Sequence, residues 1–314
     1  MSNVPSWLRV LTGSDDVDAL RDAFAALDPE CPADWRWLAA LFAARFAALF
    51  AARWYTKPPR YVGLSGGQGA GKSTLSAAIV AACRNRGLSA VSVSVDDFYL
   101  TRAERVELAR DVHPLLATRG PPGTHDVDLC MEKLQSLRTN SGVRVPVFDK
   151  GIDDRLPMDA WRLVDTPVDV VVFEGWCVGA RPARRPVSNE PINDLEREQD
   201  PHGIWRDYID TALAGPYQDL FALLDFLIYL KVPDLDAVRR WRLEQEEDRP
   251  PAQRMSRSEV EHFVAHYQRL TLVMQGDLPQ RADVCVHLDA DHRVEKVGEV
   301  EKISDSAADT ATDA

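Results

Sequence analysis

Gly66-Gly67-Gln68-Gly69-Ala70-Gly71-Lys72-Ser73 has the spacing GxxxxGK(S/T). Glycines are needed there because a side chain would keep backbone amides from closing around phosphate oxygens, and because several positions require positive φ. The flanks agree with the motif. An apolar run, YVGLS (61–65), precedes it, and a helical pattern from Lys72 to Asn85 follows, bringing the positive end of a helix to the same point. Lys72 is expected at the β and γ phosphates of ATP, the Ser73 hydroxyl at the magnesium ion that bridges them, and Thr74 among the nucleotide-binding residues.

Two further acidic positions follow strands. Val91–Val95 runs into Asp96-Asp97-Phe98-Tyr99, and VDVVVF (168–173) runs into Glu174-Gly175-Trp176. A carboxylate at the end of the second strand lies close enough to the phosphate loop to take a proton from an attacking hydroxyl, and either Asp96 or Asp97 has that position. A carboxylate at the end of a buried strand is costly unless it meets a cation or donors, so Glu174 is expected to hold magnesium or orient an acceptor. Leu64-Ser65-Gly66-Gly67-Gln68 also spells the LSGGQ of transporter ATPases, but it overlaps the phosphate loop, and one set of amides cannot serve both ends of a dimer. A GTPase is excluded by the missing NKxD; the DxxG at Asp200–Gly203 follows a polar stretch rather than a strand.

The elements that must position these groups alternate. Apolar runs at 61–65, 90–95, 168–173 and 225–232 are separated by helical stretches, which predicts a mostly parallel sheet covered on both faces, with the site at the carboxyl ends of its strands. The fold class is therefore a three-layer α/β/α sandwich of the P-loop type. Before it, residues 1–58 read as a helical extension: Asp15–Leu27 after a Ser14 cap, then Pro32–Tyr55, ended by Lys57-Pro58-Pro59. In the second helix Leu38, Leu41, Phe42, Phe46, Leu49 and Phe50 recur at helical spacing, with Arg45 and Arg53 on another face, as expected of a helix packed on the body. Stretches 111–126 and 178–204, rich in Pro, Gly and charge, are expected to be irregular substrate loops. The end, 299–314, is small, acidic and expected to be disordered.

Composition narrows the partners. The formal charge of −12 over 314 residues opposes a broad nucleic-acid surface yet permits one nucleotide in a cleft. Five scattered cysteines without a CxxC pair suit a reducing cytosol. No secretory signal is readable at the start, and the apolar span 37–54 is too short and too charged to cross a membrane.

Seven segments in order, GLSGGQGAGKSTL, SVDDFYLT, RGPPGTHD, VPVFDKGIDDR, VVFEGWCVG, RRWRLEQE and MSRSEVEHFVAHYQRLT, resemble the plant-type D-glycerate 3-kinases and their bacterial and fungal relatives. These belong to the larger group containing uridine kinase, phosphoribulokinase and pantothenate kinase. The resemblance covers about residues 60 to 298 and implies a kinase domain over 59–298 with a helical lid at about 234–257. The segment before Arg60 has no counterpart in these motifs. By this resemblance Asp96 is the general base, His125 and Asp126 lie near the acceptor, and Arg239 and Arg242 belong to the lid over the nucleotide phosphates. A glycerate pocket needs cations for the substrate carboxylate, and Arg119, Lys150 and Arg155 are the candidates. Tyr99 and Trp176 are candidate pocket walls. The implied activity is a magnesium-dependent phosphoryl transfer from ATP to a small hydroxylated metabolite, D-glycerate by resemblance. A nucleoside, sugar phosphate or pantothenate acceptor, or a regulatory protein that binds ATP without phosphorylating a metabolite, are the alternatives.

Overall fold

The computed structural model describes residues 4–51, 59–140, 142–165, 167–183, 190–247, 250 and 254–299. The chain runs α1 (Ser6–Ala25), α2 (Ala33–Ala51), β1 (Tyr61–Gly66), α3 (Lys72–Asn85), β2 (Ala90–Ser94), α4 (Arg102–Asp111), α5 (Val127–Thr139), β3 (Val143–Val145), β4 (Phe148–Asp149), β5 (Asp154–Arg155), β6 (Arg162–Val164) and β7 (Val170–Gly175). It continues through α6 (Asp194–Gln199), α7 (Ile204–Ala214), α8 (Pro216–Phe221), β8 (Phe226–Lys231), α9 (Leu235–Glu247), α10 (Arg257–Asp277), β9 (Val284–Leu288) and β10 (Val294–Glu299).

Six strands form one sheet in the order β10-β9-β8-β1-β7-β2, parallel throughout except for the antiparallel β10 at one edge. Every residue of β1 and β7 is buried, because helices cover both faces and a solvated side has no place in the pattern. On one face α1, α2 and α3 enclose a core that includes Leu38, Phe42, Ile79, Val172 and Ile228. On the other, α5, α8 and α10 close over Val93, Leu134, Phe173, Leu220 and Leu270. The α/β sandwich expected from the alternating runs is thus the observed fold.

Helix α2 packs on α3 and sends Phe42 and Phe46 edge-on against Phe226 of β8. It is buried on more than one side, since α1 lies on it as well. Helix α1 starts at Ser6, nine residues before the expected start, with Pro5 extended at the N-cap, and it ends at Ala25 rather than Leu27; Ser14 lies inside it. The expected continuation of α2 to Tyr55 passes into 52–58, outside the described residues, as does the expected tail beyond Glu299. Among the features not anticipated are the β9–β10 hairpin, and helix α6 within the stretch read as irregular.

The strand order builds the site. In register, β7 lies between β1 and β2, with Glu174 opposite Leu64 on one side and Ser94 on the other. The phosphate loop, Asp96 and Glu174 therefore leave three adjacent strands at the same edge of the sheet.

Candidate active site

A large cleft opens at that edge. Among its lining residues are Gln68, Gly69, Gly71, Lys72, Ser73 and Thr74 from the loop and its helix, and Asp96, Asp97, Tyr99, Arg119, Lys150, Glu174, Trp176 and Arg242 from elsewhere. Gly66, Gly67 and Ala70 stand behind the loop as its support, Gly66 being the last residue of β1 and Ala70 fully buried in the core. Lys72 Nζ donates to the Gly67 carbonyl at 2.9 Å. Burial lowers the Lys72 pKa, opposed by the Glu174 and Asp96 carboxylates.

The loop is braced by residues far from it in sequence. Gly71 has φ +82°, and a Cβ there would come within 2.9 Å of the Trp35 indole of α2. On the other side His292 Nε2 donates to the Gly69 carbonyl at 2.9 Å, while its ring stacks on Trp241 with centroids 4.0 Å apart. Trp35, Trp241 and His292 were not among the expected site residues. A lone aromatic in a helix or turn carries no local sign of such a role.

Glu174 and Ser73 meet as expected: the Ser73 hydroxyl donates to Glu174 Oε1 at 3.0 Å. Burial raises the Glu174 pKa, and the Lys72 ammonium works against it. The two adjacent aspartates diverge. Asp96 accepts from the Tyr99 hydroxyl on Oδ1 at 2.9 Å and from Lys150 Nζ on Oδ2 at 2.6 Å. Burial pushes its pKa up, but Lys150 outweighs this, so Asp96 is held below the usual carboxylate range. Asp97 accepts from the Phe148 N–H at 3.3 Å, and burial pushes its pKa up to about 6. Asp96 is thus the stronger acid of the pair, already ionised and facing a cation.

Arg119 pairs with Asp153, a residue in left-handed backbone (φ +57°) that also binds Arg105 at 2.9 Å. Beside it, Gly120 is held between two aromatics: the Tyr267 hydroxyl donates to the Arg119 carbonyl at 3.1 Å, and Trp176 Nε1 donates to the Gly120 carbonyl at 3.0 Å. A Cβ on Gly120 would sit 2.0 Å from the Tyr267 oxygen, which explains the glycine of the RGPPGT segment.

Outside the loop, four expected residues, His125, Asp126, Arg155 and Arg239, do not line the cleft. His125 is buried beneath Tyr99, the rings stacked at 4.4 Å, with Nδ1 2.6 Å from the Tyr217 hydroxyl. Burial lowers its pKa to about 4. Asp126 caps α5, accepting from the Leu129 N–H at 3.1 Å, and pairs with Arg155 at 3.1 Å. Arg239 is turned to an exposed pair with Asp236. His125 supports the cleft wall through Tyr99, whereas Arg239 stays on the exposed side of α9. Arg242, three residues on from Arg239, does reach the cleft; it pairs with Glu246 at 2.5 Å, and Glu246 accepts from the Met255 N–H at 2.9 Å.

The model of the phosphoribulokinase/uridine kinase family matches residues 61–180. A Schizosaccharomyces pombe protein described as an uncharacterized kinase is 35% identical over 242 residues, covering 73% of this chain and 86% of its own length. The chain belongs to the phosphoribulokinase/uridine kinase family. Within that family the chloroplastic D-glycerate 3-kinase of Arabidopsis thaliana is 34% identical across 67% of this chain, a match that spans 46% of the plant protein. The solved structure of D-glycerate 3-kinase from Cryptococcus neoformans superposes with a TM-score of 0.66 at 26% identity, covering 84% of this chain and 98% of that one. Membership in this family implies a P-loop kinase that binds ATP.

Proposed function

We propose that the protein transfers the γ-phosphoryl group of ATP to the primary hydroxyl of D-glycerate, giving 3-phosphoglycerate. The observation that carries the reading is the Asp96–Lys150 pair, 2.6 Å apart in the cleft that also holds Lys72 and Arg119. An ionised base and two cations beside a phosphate loop suit an acceptor bearing both a hydroxyl and a carboxylate. The similarity to two D-glycerate 3-kinases points to the same acceptor.

In this reading Asp96 takes the hydroxyl proton on the oxygen now facing Lys150, and Tyr99 keeps that carboxylate oriented. Lys150 and Arg119 bind the acceptor carboxylate, with Trp176 as a wall. Lys72 and the loop amides hold the phosphates, and Arg242, on α9 acting as lid, faces the charge that builds on the transferred group. The transfer is direct and in line, with no covalent enzyme intermediate. Ser73 and Glu174 fit a magnesium ion, being a hydroxyl and a buried carboxylate 3.0 Å apart beside the loop. Magnesium held there would neutralise phosphate charge. Five unpaired cysteines, four of them buried, suit a reducing compartment such as the cytosol.

The test is a coupled ADP-release assay with D-glycerate, uridine, pantothenate and ribulose 5-phosphate as acceptors. D-glycerate is expected to stimulate ADP release well above the rate without acceptor. Stimulation by another of the four, or by none, would overturn the reading.

A further inference from the structure

A second, smaller cavity of about 20 Å³ lies behind the acceptor side of the cleft, and Trp176 belongs to the walls of both. Pro121, Pro122, Ile209, Leu270 and Val273 complete its apolar wall, and its polar lining is Trp205, His266, Arg206, Asp210 and Arg269, the two arginines being held in ion pairs with Asp200 and Glu196. Trp205 and His266 are 1% and 4% exposed. The indole Nε1 of Trp205 and the imidazole Nε2 of His266 are both buried, and neither has a hydrogen-bond partner among the described residues.

Their roles are fixed by chemistry. His266 Nδ1 lies 2.9 Å from the His262 carbonyl and must donate to it, so in the neutral ring Nε2 carries the lone pair. Burial lowers the His266 pKa to about 4, which keeps the ring neutral near pH 7. Trp205 Nε1 can only donate. A donor and an acceptor without partners among the described residues thus belong to two side chains of one cavity, on rings that meet edge to face with centroids 5.8 Å apart. Buried polar groups in folded proteins find partners, and a cavity this size with two polar atoms admits one small guest. The guest must accept from one ring and donate to the other. A hydroxyl does both, whereas a carboxylate only accepts and an ammonium only donates.

We propose that the cavity behind Trp176 is a binding site for a neutral hydroxyl group, which accepts from Trp205 Nε1 and donates to His266 Nε2 and thereby braces the wall of the acceptor pocket. The hydroxyl is that of a buried water or of a small neutral alcohol. The bracing follows from position: Pro121 and Pro122 continue directly from Arg119 and Gly120, whose carbonyls are held by Tyr267 and Trp176.

The direct test is a high-resolution crystal structure of the full chain grown without alcohols or polyols, followed by a soak in isopropanol. The expected result is one density peak within about 2.7–3.2 Å of both nitrogens. A peak that persists through the soak identifies a water site, one replaced by isopropanol an alcohol site, and absence of any bridging peak overturns the proposal. This readout does not depend on which acceptor the kinase uses. In solution, Trp205→Phe or His266→Leu alone strands the guest with one partner and is expected to lower Tm and raise the KM for the acceptor several-fold at unchanged KM for ATP. The double variant, with nothing left to satisfy, is expected to lose less Tm than the sum of the singles. Additive losses would overturn the bridging, and an acceptor KM that stays put in both singles would overturn the bracing.

Discussion

Replacing Asp96 by Asn separates the chemistry of the site from its stability. The amide keeps an oxygen for the Tyr99 hydroxyl but cannot accept a proton from the substrate. General-base catalysis is worth about 10²–10⁴-fold, or roughly 3–5 kcal/mol of barrier, so turnover is expected to fall by that factor. Stability should hardly move. The partner ammonium of Lys150 is 51% exposed and returns to water when the carboxylate is gone, and the Asp96 side chain itself is 25% exposed. A pair this open contributes about 0.2–1 kcal/mol, and an amide in its place no longer has to be desolvated as a charge, so Tm is expected to shift by no more than about 2–4 °C. The assay is coupled ADP release at saturating ATP and magnesium, with a fluorescent nucleotide to confirm unchanged binding and a thermal melt alongside. Turnover within about threefold of the parent, with nucleotide binding intact, would refute the base assignment.

Lys72→Ala should reduce turnover by at least about 10²-fold while the chain stays folded by circular dichroism, since the amine contacts the loop carbonyl of Gly67 and lines the cleft where the proposed reaction puts the phosphates. Gly120→Ala places a methyl 2.0 Å from the Tyr267 oxygen at φ +128°, and denaturant unfolding is expected to show a loss of about 2–4 kcal/mol from overpacking and backbone strain together. For Asp97 the folded pKa, about 6, lies above the unfolded carboxyl value, so the folded state holds the extra proton and stability falls as pH rises from about 4 to about 6. Asp97→Asn, which can still accept from the Phe148 N–H, should flatten that fall and raise stability at pH 7.5 by about 1–2 kcal/mol in urea titrations.

The parts of the site readable in advance are those whose chemistry is written contiguously. Eight residues of phosphate loop, an acid at the end of each of two apolar strands, and the strand–helix alternation all depend on neighbours in sequence, where spacing is the signal. Capping boxes at Thr101/Glu104 and Ser256/Glu259, which fix the starts of α4 and α10, were not read in advance although their pattern is equally local. The start of α1 was misplaced because Ser14 satisfies the rule for a cap, while the helix begins with no side-chain cap at all. The edge hairpin β9–β10 was passed over because VCVHL is short and its pairing partner lies beyond a turn.

By itself, the sequence determined the fold class, the phosphate loop with Lys72 and Ser73, the acids at 96, 97 and 174, and the motifs that mark the family. Only the tertiary structure decided which of these meet. The Ser73–Glu174 contact joins residues 101 apart, and His292 reaches Gly69 across 223. It also decided between neighbours: Asp96 faces Lys150 while Asp97 lies against the Phe148 amide, and Arg242 enters the cleft while Arg239 turns to Asp236. The physical reason is that periodicity assigns a residue to a face of its own element, whereas burial, charge pairing and hydrogen bonding at that face are set by whichever distant element packs against it.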